Sequence, residues 1–500
     1  MERRSECESM SRREFLGYCA ATAGSITSAR LSWAAQSDAG DVASTTRGLE
    51  ALNDALEGVL LLPEDQRFEL TSTTSWNQLL PQRRPALIVV AASPSDAVHA
   101  INFAREHRFK VAVRGGGHNW CSSSLRQGGV LLDLSRLRSV EIDAQAATAT
   151  IGPAIQGAEL VQRTAEHGLA FPVAHCPTVS MSGFLLNGGN GLNFNRWGSA
   201  CSNVLAIDLV LADGSELTVS EDEHADLFWA ARGAGPGFFA VATRYRLKLH
   251  PLPRGITMST YVFPESAIGE ASELLDRVAG QLSRDLLVAL SIGAPTPELA
   301  ADNETVGIIF AVAYCDSHSE AEEALRPLHS DVGMQRAISS SVNVPADLHA
   351  VLGAFAPTLP GGHRCLVDNV WSNRALDTIV EGSSEHYAKA PSPKSHLLAV
   401  LFHPDYELKG TSHSLHGRYL VYNNTLWDDA ADDDSNRAWH VEATGLIDPH
   451  KIGRYLGETD LNKEAGVAEQ GFTPESWKRL RALRNVYDPG AVFYDYLGMA

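Results

Sequence analysis

The chain has 500 residues, 41 of them lysine or arginine against 60 aspartate or glutamate, for a formal charge of −19. That length supports two or three ordinary domains and a large core. The acidic balance argues against nucleic acid as a partner, because its phosphates require a basic surface, and against an anionic membrane surface.

Near the start, Ser11-Arg12-Arg13-Glu14-Phe15-Leu16-Gly17 precedes a mildly apolar stretch, Tyr18 to Thr27, rich in Ala, Gly and Ser. The paired arginines resemble a twin-arginine (Tat) export signal, with a small-residue cleavage site near Ala34-Ala35. The bland alternative is a basic, disordered N-terminus. The stretch is too short and too polar to span a bilayer stably, and no other stable spanning segment is found. Of 7 cysteines, Cys7 and Cys19 fall in this leader. The remainder (Cys121, Cys176, Cys201, Cys315 and Cys365) is an odd set without metal-site spacing, so it reads as neither a disulfide framework nor a metal centre.

From about residue 80 to 250, short apolar runs broken by glycine give strands alternating with helices. Leu87–Val90 and Lys110–Val113 read as strands, and Ser95–His107 as a helix with Ala97, Ile101 and Ala104 on one face. Asp213-Gly214 reads as a hairpin turn between Ile207–Leu211 and Glu216–Val219. Pro251-Leu252-Pro253 marks a boundary. Beyond it, Glu265–Leu282 is amphipathic and Thr305–Tyr314 reads as a strand. Ser319 with Glu322 reads as a capping box, and Arg418–Thr425 alternates like a strand. Helices against an antiparallel sheet predict an α+β domain. Asp428–Asp434 reads as a solvated acidic loop, with a calcium site as the minor alternative. Pro474–Arg484 closes as a helix before Tyr487-Asp488-Pro489-Gly490. No repeats are found. The divisions expected are a leader at 1–37, a first domain at 38–253, a second at 254–449, and a segment at 450–500 that returns to the first.

Three segments carry chemistry. In Val113-Arg114-Gly115-Gly116-Gly117-His118-Asn119 a strand runs into three glycines, which permit positive φ and let backbone N–H groups converge on an anion such as a pyrophosphate. The spacing is not that of the Rossmann fingerprint. The second is Cys176-Pro177-Thr178-Val179, followed by Asn187-Gly188-Gly189-Asn190-Gly191. There Cys176 is either an inert buried thiol or a group beside a flat ligand that the glycine backbone approaches. The third runs from Asp226-Leu227-Phe228-Trp229 through Arg232-Gly233-Ala234-Gly235-Pro236-Gly237-Phe238-Phe239.

Together with the closing Tyr487-Asp488-Pro489, these segments resemble the flavin-binding signatures of the berberine-bridge-enzyme-like oxidases of the vanillyl-alcohol-oxidase superfamily. The resemblance implies a two-part FAD-binding domain of the PCMH type, plus a substrate domain with an antiparallel sheet covered by helices. It implies FAD joined twice to the protein, at the flavin 8α-methyl through His118 and at C6 through Cys176. It places Arg114, Gly115, Gly116, Gly117, Asn119, Thr178, Val179, Ser182, Gly183, Gly188, Gly189 and Gly191 against the cofactor. Val179 resembles the oxygen-permissive form of a position beside the flavin, which makes molecular oxygen the expected second substrate.

The sequence departs from the family at Ser180, Ser182 and Asn187, where glycine is usual, and at Phe238, where asparagine is usual. Asn190 and Glu458 stand where catalytic tyrosines are common. Glu458 is then the candidate base, with Tyr422 and Tyr455 as further candidate catalytic residues. A carboxylate is a weaker base than a phenolate unless burial raises its pKa. Tyr419 and Tyr422, three apart on a strand, point to opposite faces, so only one can face the flavin. The expected activity is hydride transfer from an alcohol, hemiacetal or amine carbon of a small molecule to FAD, with hydrogen peroxide released by an exported protein. The alternatives are a dehydrogenase, a redox-neutral cyclase, and a flavin-retaining protein without turnover.

Overall fold

The computed structural model describes residues 39–295, 304–356, 360–463 and 466–499. The export-signal segment expected between residues 11 and 35 lies outside the described residues. Among them, no helix is long and apolar enough to cross a membrane.

The first sheet holds β1 (Val59–Leu61), β2 (Leu87–Val90), β3 (Val111–Arg114) and β4 (Val130–Asp133) in the order β1-β2-β4-β3. β2, β4 and β3 run parallel, and β1 pairs antiparallel with β2. The runs Leu-Ile-Val-Val and Val-Leu-Leu-Asp are apolar without alternation because parallel strands are covered on both faces. The helix Pro94–Glu106 starts from a Ser93/Asp96 capping box with proline in its first turn, and buries Ala97, Ala100, Ile101 and Ala104. The second sheet orders β5 (Val140–Asp143), β6 (Thr148–Ile151), β8 (Val204–Val210), β9 (Glu216–Ser220) and β10 (Val241–Lys248) as β5-β6-β10-β8-β9. Between β8 and β9 the turn at Asp213-Gly214 forms as expected, with Gly214 at φ 83° and Ser215 N–H donating to Asp213 Oδ1 at 2.9 Å. A short pair, β7 (Leu169–Ala170) with β11 (His250–Pro251), ties the Pro251 segment back to this part of the chain.

The third sheet is antiparallel throughout. It is built from β12 (Gly255–Pro264), β13 (Leu286–Gly293), β14 (Val306–Cys315), β15 (Ser339–Pro345), β16 (Arg364–Ser372), β17 (His396–Leu401) and β18 (Tyr419–Trp427), in the order β15-β12-β14-β13-β17-β18-β16. Side chains alternate between its faces. Val288, Leu290, Leu397, Ala399, Tyr419 and Val421 join a core with residues of the helices Ile268–Val278, His318–His329 and Asp433–Ile447. Leu287, Ala289, Leu398, Val400, Leu420 and Tyr422 line a cleft on the other face. The architecture is α+β, with helices on one side of the large sheet and a cleft on the other.

The amphipathic stretch from Glu265 is helical nearly throughout, as the helix Ile268–Val278 between two 3-10 turns, Glu265–Ala267 and Ala279–Gln281. Two expectations need correction. The cap of the helix His318–His329 is two residues earlier and is a simple N-cap: Ser317 Oγ accepts from Glu320 N–H at 3.3 Å, the Glu320 carboxylate accepts from Asp316 N–H, and Ser319 lies inside the first turn. The acidic run from Asp428 is not merely a solvated loop. Asp429 caps a turn, and Asp433 opens the helix Asp433–Ile447, where negative side chains suit the positive end of the helix dipole. Asp433 also pairs with Arg364 at 2.5 Å and accepts from Trp427 Nε1–H at 2.8 Å.

The last residues return to the first sheet. The helix Pro474–Tyr487 runs three residues past its expected end. Asp488 then accepts from Val492 N–H at 2.7 Å and from Phe493 N–H at 3.0 Å, which turns the chain sharply. Phe493 lies beside Val111 in a parallel bridge at the edge of β3.

Candidate active site

One cleft, with an empty volume of about 2120 Å³ including its open mouth, runs between the glycine segment after β3 and the free face of the third sheet. Its inner end is lined by Gly115, Gly116, Gly117, His118, Asn119, Cys176 and Val179. β3 ends at Arg114, and the glycines carry the chain over the sheet edge. Gly117 has φ 70°, and a Cβ on Gly116 would lie 2.0 Å from Ser180 Oγ. Only glycine fits there. The backbone N–H groups of Gly115, Gly116 and Gly117 have no backbone partner among the described residues. Donors left open in this way form an anion-binding concavity.

His118 is stacked on Trp76, with ring centroids 5.0 Å apart. Its Nε2 lies 3.0 Å from Thr178 Oγ1 and 3.6 Å from Cys176 Sγ. Burial pulls the imidazole pKa down to about 4, so the ring is neutral at pH 7 and one nitrogen keeps its lone pair. Two nucleophilic atoms thus meet at one point of the cleft. The other four described cysteines are free and buried.

At the other wall the structure gathers Tyr422, Tyr455 and Glu458. Glu458 is half-buried on a 3-10 turn, Leu456–Glu458. Burial raises its carboxyl to about 7, while a hydrogen bond from Tyr422 acts in the opposite sense. Tyr422 and Tyr455 are both pushed well up, first by burial and then by the neighbouring Glu458 charge, so both phenols stay protonated. Glu458 is therefore the group of the three able to exchange a proton near neutral pH. Tyr419, on the opposite face, donates to Asp276 Oδ1 at 2.8 Å and takes no part in the cleft.

Several residues expected at the cofactor are placed otherwise. Arg114 touches the cleft, but its guanidinium is fully committed. Nε and Nη2 donate to Asp133 Oδ2 at 3.0 and 2.5 Å, and the remaining N–H groups reach Thr71 O, Ser72 O and Thr74 O. Five N–H groups serve five bonds, leaving none for a phosphate. Gly188, Gly189 and Gly191 do not line the cleft. They permit close packing: a Cβ on Gly188 would meet the His413 ring at 2.6 Å, and one on Gly191 the Val173 carbonyl at 2.5 Å. Thr178 stands behind His118, and Ser182 lines the cleft with its hydroxyl 2.9 Å from Tyr245 Oη. Gly183 lines it directly.

Two residues that sequence reasoning missed shape the site. Asn369 on β16 sits directly opposite Tyr422 and is fully buried. Its Nδ2 donates towards Tyr455 O, Glu458 O and Thr459 Oγ1 at 2.9, 2.8 and 2.9 Å, and its Oδ1 accepts from Tyr455 N–H at 2.7 Å. No sequence signal announces it. Asn424 lines the cleft two residues beyond Tyr422, and the period of two along β18 could have found it.

The cleft fits FAD on its own evidence. The open backbone donors of Gly115, Gly116 and Gly117 would suit a pyrophosphate. Asn187 Oδ1 and Asn190 Nδ2 are buried in residues that line the cleft and lack partners among the described residues, as groups awaiting a polar ring edge would. A family described as "FAD binding domain" matches residues 85–220. The FAD-linked oxidoreductase nodO of Hypoxylon pulicicidum is 28% identical over 433 residues, covering 86% of this chain and 94% of the relative. (R)-6-hydroxynicotine oxidase of Paenarthrobacter nicotinovorans is 28% identical over 456 residues, covering 87% and 95%. Among solved structures, 6-hydroxy-D-nicotine oxidase of Arthrobacter nicotinovorans matches with a TM-score of 0.77 at 24% identity, over 89% of this chain and 98% of that one. BBE-like 1 of Physcomitrella patens matches with a TM-score of 0.78 at 15% identity, over 91% and 99%. The chain is therefore similar over most of its length to FAD-linked oxidoreductases, carries a segment matching an FAD binding domain, and shares its fold with 6-hydroxy-D-nicotine oxidase and BBE-like 1.

Proposed function

We propose that this chain is an exported oxidase that carries FAD tethered to His118 and Cys176 and oxidises an alcohol, hemiacetal or amine carbon of a small molecule. The observation that carries the reading is the lining of one cleft by two different pairs: His118 with Cys176, and Glu458 with Tyr422. Bound FAD would supply the two-electron acceptor for a substrate hydride, and oxygen would take those electrons onward to hydrogen peroxide.

The chain's own residues do the rest. Glu458 accepts the proton of the substrate O–H or N–H as the C–H bond breaks, so a C=O or C=N bond forms and charge balances. Tyr422 donates to the carboxylate and holds it in place. Tyr455 and Asn369 fix the turn that presents it. Apolar side chains of the third sheet keep water from the reacting carbon. The small Val179 at the cleft supports access of oxygen. The neutral His118 nitrogen and the adjacent thiol support two bonds to one ring edge.

Acid precipitation tests the tether: yellow colour should stay with the pellet, and peptide mapping should find one flavin joined to two peptides. Flavin released freely into the supernatant would refute it. Peroxide formed one-for-one with product supports the oxidase. A flavin that substrate reduces but air reoxidises slowly assigns the chain to the dehydrogenases instead.

A further inference from the structure

The sheet wall of the cleft has a composition that hydride transfer does not require. Ala289, Val400 and Leu420 lie side by side on three adjacent strands, and Leu287 and Leu398 extend the patch. None of these side chains carries a hydrogen-bonding group. A sugar presents hydroxyls all around its rim, and each one desolvated against this wall would lose its water without gaining a partner. Among the described residues, the sheet wall carries no cation for an anion either. Arg114 has no free donor, and Arg126 is bonded through Nε and Nη2 to Ser123 O and Asp495 O, with Nη1 left open away from the sheet wall's own residues.

Polar groups gather at one edge of the patch, where Asn424 follows Tyr422 on the same face of β18. The Asn424 amide is oriented by a relay. His396 Nδ1 lies 3.1 Å from Lys394 O, so that nitrogen carries the proton and donates. Burial disfavours the charged ring, which leaves Nε2 as an acceptor for Asn424 Nδ2–H at 3.3 Å. Asn424 Oδ1 then has no partner among the described residues and stands as an acceptor at the cleft wall.

We propose that the substrate is an uncharged, mainly apolar ring compound that carries, beside the carbon to be oxidised, one N–H or O–H donor received by Asn424 Oδ1. An oligosaccharide is excluded. This rests on the reading of the cleft as a flavin and substrate site.

The test uses the purified flavin-bearing protein and two unreactive rings of the same shape, indole with an N–H and indene with a CH₂ in its place, together with cellobiose. Perturbation of the flavin visible spectrum reports binding. Indole is expected to bind at least about tenfold tighter than indene, because a site built for a donor discriminates against the analogue that lacks it. Cellobiose is expected to give no perturbation at roughly a hundredfold higher concentration, because several of its hydroxyls would lose water against the wall without a replacement partner. Asn424→Leu should bring the two rings within about threefold of each other, and Leu398→Asn should weaken both by about tenfold. Equal binding of indole and indene by the unmodified protein, or tighter binding of cellobiose, overturns the proposal without needing any variant. A purified protein with no flavin absorbance would instead overturn the underlying assignment of the cleft.

Discussion

Replacing Glu458 with glutamine removes the proposed proton acceptor and keeps its shape. Burial lifts the carboxyl from its ordinary 4.5 to about 7, which corresponds to roughly 3 kcal/mol of added proton affinity. The group is then about one-tenth ionised at pH 6 and about nine-tenths at pH 8. Because the ionised form is the base, the rate of flavin reduction should rise as pH rises through 7 and level off above it. Glu458→Gln should slow reduction by about 10²- to 10⁴-fold, the scale of a lost general base, and should abolish the pH limb. Tyr422→Phe supplies a second check. The Tyr422 hydroxyl donates to the carboxylate and lowers its pKa, so its removal should move the limb to higher pH. Anaerobic stopped-flow at several pH values reads both. A Glu458→Gln protein that keeps its flavin and reduces it within a few-fold of the unmodified rate, with the limb intact, would refute the argument.

Asn369→Ala should destabilise the protein by about 3–5 kcal/mol, since it removes three hydrogen-bond positions and strands the buried Tyr455 N–H; denaturant melts measure the loss, and slowed flavin reduction at unchanged flavin content separates positioning of Glu458 from stability alone. Asp133→Asn should cost about 3–5 kcal/mol by leaving the Arg114 charge buried without its partner, with the fall in thermal midpoint as readout and an unchanged midpoint as the refuting result. His118→Ala should leave a single flavin link through Cys176, and Cys176→Ala a single link through His118, as peptide mapping would show. Exchanging Arg12 and Arg13 for lysine should hold the protein in the cytoplasm, and unchanged export would remove the Tat reading.

The elements legible in the sequence were those with local causes. The strand before Gly115 and the turn at Asp213-Gly214 follow from apolar runs and from glycine at positive φ. The opposed directions of Tyr419 and Tyr422 follow from the period of a strand. Arg114 was misleading because its neighbours in sequence are cleft-lining glycines, whereas its partner Asp133 lies on the adjacent strand β4. Gly188 and Gly191 misled for a related reason: a glycine admits close approach of any group, and here the group is His413 or a Val173 carbonyl. Asn369 could not be found because its four contacts lie almost ninety residues away, in a turn that the sheet register alone brings near. The desolvation that tunes Glu458 likewise depends on which loop closes over which strand.

The third sheet separates two kinds of sequence constraint. Along β13, β17 and β18, one set of alternate residues is locked into the helical core and the other set faces the cleft. Substitutions at Leu398 or Val400 can therefore reshape what the protein accepts while Leu397, Ala399 and Val421 keep the sheet assembled. Diversifying only the cleft-facing positions would search substrate space at low risk to folding, and descendants of such a chain could drift in selectivity without leaving the fold.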